Sequence, residues 1–186
     1  MPDGLAGVVV FGDVVDSRRS AAASTAFLRA LIADMDACYP EAQRLAMPGI
    51  TQGDELQVLL ATEADPFALV MRTGLRADAR RMRWVAVAGA IDPGQGPVTE
   101  RTGAAFLRAR TLMARAKPTR DRLLVETGDP GVDPVLADLG PLLPRLLADL
   151  TPRQREVARP LLLDGLRRAQ VADRLGISRA TVSVMA

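Results

Sequence analysis

Two short acidic motifs hold the side chains best suited to chemistry in the first half of the chain. They are Phe11-Gly12-Asp13-Val14-Val15-Asp16-Ser17-Arg18 and Gln52-Gly53-Asp54-Glu55-Leu56-Gln57. Each lies where an apolar run meets a turn. Val8-Val9-Val10-Phe11 reads as a buried strand with Asp13 at its C-terminal end. Gly53-Asp54 falls between an extended stretch (45–51) and an apolar strand (56–60), so it reads as a hairpin tip. A strand-end carboxylate beside a hairpin carboxylate can hold a divalent cation against the phosphates of a nucleotide. Mg²⁺ and Mn²⁺ want oxygen ligands and take one or two protein carboxylates, phosphate and water completing the shell. With metal–oxygen bonds near 2.1 Å, Asp13 and Asp54 are expected within roughly 7 Å of one another. Gly-Asp is also ordinary turn chemistry, so a purely structural role for both motifs stands as an alternative.

The last thirty-odd residues carry a different signal. Thr151-Pro152-Arg153-Gln154 is a helix start, with Thr as N-cap, Pro in the first turn and Gln three residues after the cap. From Arg168 to Ser183 the spacing matches a helix-turn-helix. Val171, Leu175, Ile177 and Val182 supply a small core, Ala172 permits close helix approach, and Gly176 takes the turn conformation. Ser178 caps the second helix, leaving Ser178, Arg179, Thr181 and Ser183 as the side chains to meet phosphates and base edges of double-stranded DNA. Charge agrees: residues 151–186 hold seven Arg against three acids, a net of +4 in a chain whose total is +2. Two features should weaken a single copy. Pro160 should kink or end the first helix, and the second is only about eight residues long, so a homodimer is expected.

Composition removes several function classes. There is no histidine, which excludes Ser-His-Asp and Cys-His catalysis and His-based zinc or iron sites. The lone Cys38 precludes an internal disulfide and reads as packing, which together with an N-terminus lacking a basic start suggests a cytoplasmic protein. No apolar stretch is long enough to span a membrane, and none is expected as a partner. Hydrophobic content of 48% with 3% aromatics describes a core of Leu, Val and Ala. Lys117, the only lysine among 24 basic residues, reads as a bias of composition.

The elements that must position these residues alternate through residues 1–127, as β-α-β-β-α-β-α-β. Strands are expected near 5–12, 45–51, 56–60, 83–91 and 122–126, with helices near 20–39, 65–80 and 103–116. This order contains the split βαβ plan of an α/β (α+β) ferredoxin-like domain. Residues 128–150 read as linker and connector helix, broken by Gly140-Pro141 and Pro144, and 151–186 as a small all-α DNA-binding segment.

Three ordered signatures resemble the SatD family of small bacterial proteins: Gly12 to Arg18, Gln52 to Gln57, and Gly103-Ala104-Ala105-Phe106-Leu107-Arg108-Ala109-Arg110. Leu150 to Glu156 likewise resembles the Leu-Thr-Pro-Arg-Gln-Arg-Glu opening of sigma-factor region 4 and LuxR-type tails. More distantly, the front domain is similar to class III nucleotide cyclases and diguanylate cyclases, which implies a palm-type, nucleotidyl-cyclase-like core. That similarity implies metal ligation by Asp13 and Asp54, with Glu55 as an adjunct. It also implies phosphate contacts from Arg18, Arg108 and Arg110. The chain departs from those enzymes where Ile50 replaces a base-reading Lys and Leu107 replaces Asn. The resemblance therefore implies a DNA-binding transcriptional regulator whose cyclase-like domain binds a nucleotide or metal, or mediates dimerisation, rather than an enzyme. Two alternatives remain. One is a metal-dependent nucleotidyl cyclase or transferase targeted by the helix-turn-helix; the other is a non-catalytic scaffold.

Overall fold

The structure is a computed structural model that describes residues 5–51, 54–119 and 123–185. The chain is a mixed α/β protein built on one five-stranded sheet, with strand order β2-β3-β1-β4-β5. The strands are β1 (Ala6–Val14), β2 (Gly49–Thr51), β3 (Glu55–Leu60), β4 (Met82–Ala90) and β5 (Leu123–Glu126). The central strand β1 pairs antiparallel with β3 on one side and β4 on the other. β2 adds antiparallel to β3, and β5 parallel to β4.

β1 is apolar in both parities because both of its faces are covered. Val8 and Val10 face α1 (Ala21–Ala33) and α2 (Pro66–Gly74), in one core with Phe27, Leu28 and Leu69. Val9 and Phe11 face α3 (Ala104–Ala116), in a second core with Phe106, Ala109 and Leu112. α2 starts as expected, with Asp65 accepting from the Phe67 amide at 2.8 Å and Pro66 in the first turn.

Element ends differ from the sequence expectation where local chemistry intervenes. The first helix stops at Ala33, and Met35–Ala37 forms a 3-10 turn. That turn brings Tyr39 inward, where its hydroxyl donates to the Asp65 carbonyl at 2.8 Å. α2 ends at Gly74, and Arg76 in the following loop pairs with both Asp34 and Asp78. The expected hairpin forms between β2 and β3, its tip at residues 52–53 lying outside the described residues. Arg122 and Ala186 lie outside them too.

The segment expected as linker and connector helix holds two short helices, both packed. α4 (Asp133–Leu139) opens where the Asp133 carboxylate accepts from the Thr127 and Gly128 amides. α5 (Leu142–Asp149) lays Leu143 and Leu147 on the α2 side of the core. A Cβ added at Gly74 would sit 2.7 Å from Leu147 Cδ1, so the α2–α5 contact depends on glycine.

The tail folds as α6 (Pro152–Leu162), α7 (Arg168–Leu175) and α8 (Arg179–Met185) around Val157, Val171, Ala172 and Val182, with Leu175 and Ile177 partly buried. α6 opens on the expected capping box of Thr151 and Gln154. Pro160 neither breaks nor immediately ends α6. Only two residues, Leu161 and Leu162, remain beyond it in the helix, and Pro160 is buried. Among the described residues, no helix is long and apolar enough to cross a membrane.

Candidate functional site

The register sets Asp13 directly opposite Glu55 on β3 and Arg83 on β4. Cross-strand partners share a face, so these three side chains project toward the α3 side. Asp13 is buried, and its Oδ2 accepts from Arg83 Nη1 at 2.5 Å. Arg83 is held from behind by Nε donating to the Thr119 carbonyl at 2.8 Å. After β1 the chain turns through Asp16, whose φ of 57° puts it in the left-handed region that Asp tolerates better than most residues. The turn presents Ser17, whose hydroxyl donates to Asp54 Oδ2 at 2.6 Å. The Val14 amide also donates to the Asp54 carbonyl at 3.2 Å, tying the end of β1 to the hairpin.

Asp13 and Asp54 thus line one cavity of about 400 Å³. Its other charged lining residues are Asp16, Arg18, Arg19, Arg83 and Lys117, so three carboxylates meet four cations. Burial pushes the Asp13 carboxyl above its ordinary value of 3.8. The Arg83 hydrogen bond and charge, with Lys117 behind them, pull it down, and the Asp54 charge pushes it up again. A further cation here would relieve the ionised form.

Glu55 does not join this cavity. It sits in a neighbouring groove of about 360 Å³ with Arg110, and its Oε1 accepts from Thr51 at 3.1 Å and from Gln57 at 3.0 Å. Lys117 lines both spaces. Among the described residues, no group of three or more His, Cys, Asp or Glu converges as a metal cluster. The expected trio therefore resolves into a pair, Asp13 and Asp54, plus a hydrogen-bonded neighbour.

The arginines divide in the same way. Arg18 lines the Asp13 cavity and Arg110 the adjoining groove. Arg108 lines neither. Its guanidinium forks onto Glu126 at the end of β5, with Nη2 at 2.6 Å from Oε1. Ile50 packs against the core, and Leu107 faces outward on α3. Arg83, Ser17 and Lys117 were missed from sequence. For Lys117 a signal existed in its being the only lysine; for Arg83 there was none, because its partner stands 70 residues away.

Cys38 is half-buried against the core, and burial pushes its thiol up to about 11, which keeps it protonated and inert.

In the tail, Gly176 adopts φ 63° and ψ 36°, and the Ile177 amide donates to the Ala172 carbonyl at 3.0 Å, closing the turn between α7 and α8. Ser178 Oγ accepts from the Thr181 amide at 3.0 Å, the expected cap. Ser178, Arg179 and Ser183 are exposed and Thr181 half-exposed. Val184 on the same helix is 89% exposed, a large apolar side chain with nothing packed over it.

Set against known proteins, the chain matches no family model, and no curated protein matches it as a relative.

Proposed function

We propose that the protein is a DNA-binding transcriptional regulator, with α6–α8 as the helix-turn-helix and the sheet domain as a ligand-binding, palm-type ferredoxin-like unit. The observation that carries this reading is the α7–Gly176–α8 unit. It shares a small core with α6, has a left-handed glycine turn and a Ser178 cap, and turns Arg179, Thr181, Ser183 and Val184 outward. These are groups suited to phosphate oxygens, base edges and a thymine methyl. Full-length protein incubated with a random duplex library should enrich a motif with two-fold symmetry. Its half-sites should lie one helical turn, about 10–10.5 base pairs, or a multiple of that apart. Failure to enrich any sequence would leave the tail without a DNA role.

The sheet domain is read as binding without turnover. The strand order, with β1 antiparallel between β3 and β4 and a helix crossing from β1 to β2 and from β3 to β4, suits the ferredoxin-like plan. The donor chemistry suits Mg²⁺ or Mn²⁺. Asp13 and Asp54 offer two hard oxygen ligands in one cavity, and the buried Asp13 carboxylate gains from a neighbouring cation. A bound cation would screen and orient phosphate oxygens. Around it, Arg18, Arg19, Arg83 and Lys117 supply positive charge for the phosphates of a nucleotide. Chemistry beyond binding lacks its groups. Ile50 and Leu107 bring no polar atoms, and Arg108 is committed to Glu126.

A homodimer is supported by the connector. Val135, Leu139, Leu142 and Leu146, spaced four, three and four residues apart, are all exposed along α4 and α5. On either side of the Gly140-Pro141 break, these four side chains leave an apolar surface that a second copy can cover. A second copy pairing there would bring two helix-turn-helix units to one site.

A further inference from the structure

On the opposite face of the sheet from Asp13, a second crevice opens between α2, the start of β4, and α5–α6. Alternation along β4 divides the two sites: Arg83 lines the Asp13 cavity, while Met82 and Trp84 line this one. Arg80, Arg81 and Arg155 line the crevice, and none of its lining residues is a carboxylate. Val70, Trp84 and Leu147 form an apolar inner end, each largely buried. Arg155 is held in place, Nη2 lying 3.3 Å from the Leu147 carbonyl and 3.4 Å from that of Ala148. Its Nε is buried and has no hydrogen-bond partner among the described residues. A guanidinium fixed by two backbone carbonyls, beside further arginines and with no carboxylate in the lining, suits a carboxylate or phosphate oxygen. The volume, about 190 Å³, is below the roughly 300–1,000 Å³ of drug-sized sites.

We propose that this crevice binds a small organic anion, with a carboxylate or phosphate head on Arg155 and Arg80 and a compact apolar body against Trp84 and Leu147. Its walls come from both the sheet domain (α2, β4) and the helices that lead into the tail (α5, α6), so an occupant bridges the two. A bridge there would bias how α6 sits on the sheet, and with it the presentation of α8. That consequence rests on the DNA-binding reading above, whereas binding at the crevice does not.

Trp84 is the only tryptophan in the chain, so its emission reports on this crevice directly. Full-length protein would be titrated with cyclohexanecarboxylate and cyclohexyl phosphate, with neutral cyclohexanecarboxamide and inorganic phosphate as controls. We expect a saturable change in Trp84 emission with at least one of the two organic anions, and none with the amide or with phosphate alone. Which anion binds tighter identifies the head group. Arg155→Gln and, separately, Arg80→Gln should each weaken binding by about tenfold or more, with an unchanged far-ultraviolet dichroism spectrum. Arg115→Gln, on the outer side of α3, should leave it unchanged. Emission that responds equally to the amide, no saturable response to either anion, or unaltered affinity in both Arg155→Gln and Arg80→Gln overturns the proposal. DNA binding is measured in a separate assay, so its loss or survival bears on the tail alone.

Discussion

Replacing Val171 with Ala should destabilise the tail and leave the sheet domain intact. Val171 is fully buried and belongs to a cluster with three other buried members among the described residues, Val157, Ala172 and Val182. Losing two methyl groups costs about 1.6 kcal/mol at ~0.8 kcal/mol each. The void left in so small a core raises that to about 2–3 kcal/mol. At roughly 0.05–0.15 kcal/mol per residue, a unit of about 35 residues has some 2–5 kcal/mol of stability to lose. The substitution therefore removes from about two fifths to all of it. The sheet domain packs around two larger clusters, the first of which Ala158 and Leu163 touch from the α6 side, so its strands should respond little. Hydrogen exchange read by mass spectrometry separates the two. Peptides covering α6–α8 should lose protection in Val171→Ala while those covering β1, β3 and β4 keep theirs. Val184→Ala is the control, since that side chain is 89% exposed and should cost under about 0.5 kcal/mol. If Val171→Ala lowers protection uniformly across β1 and β4, the tail is not a separate cooperative unit and the reasoning fails.

Three further outcomes follow from the sheet domain and the turn. Burial raises the Asp13 carboxyl above 3.8, so the folded chain binds that proton more tightly than the unfolded one. Stability should then fall as pH rises from 3.8 through the raised value, and Asp13→Asn should abolish that part of the slope; a urea titration series showing no difference from wild type refutes it. A nucleoside triphosphate with Mn²⁺ at about 100 times its Kd should stabilise the chain by about 2.7 kcal/mol, roughly 5–10 °C in Tm. Asp54→Ala should remove that shift, and pyrophosphate release should be negligible; robust release lost in Asp54→Ala would favour the enzyme reading. Gly176→Ala places a side chain at φ 63° and should cost about 1 kcal/mol of tail stability, read by the same exchange experiment.

Local signals were legible where the answer is local. The run Val8 to Phe11 ending at Asp13 marks the central strand and its strand-end carboxylate, and Gly176-Ile177-Ser178 marks the turn and cap of the tail. Asp65-Pro66 likewise marks the start of α2. Non-local partners were not legible. Arg83 meets Asp13 only through β1–β4 register, and Ser17 meets Asp54 only because Asp16 turns left-handed. Glu55 alternates to the groove beside Arg110 while its neighbour Asp54 bonds Ser17, a separation that adjacency in sequence conceals. Residues 133–149 read as connector because Pro134, Pro141 and Pro144 punctuate them. Each of those prolines falls within a first turn or at a cap, where no backbone donor is required, so two helices form. Pro160 stands near the end of α6, which stops two residues beyond it at Leu162.

The most direct measurement is fluorescence anisotropy of the enriched duplex across a salt series. It would compare full-length protein, Arg179→Ala and a chain ending at Leu150. Full-length protein should bind with affinity falling linearly on logarithmic axes as salt rises, and Arg179→Ala should flatten that slope by about 0.9, one phosphate contact. The chain ending at Leu150 should not bind. Equal binding by full-length protein and the chain ending at Leu150 would contradict the assignment of DNA recognition to α6–α8.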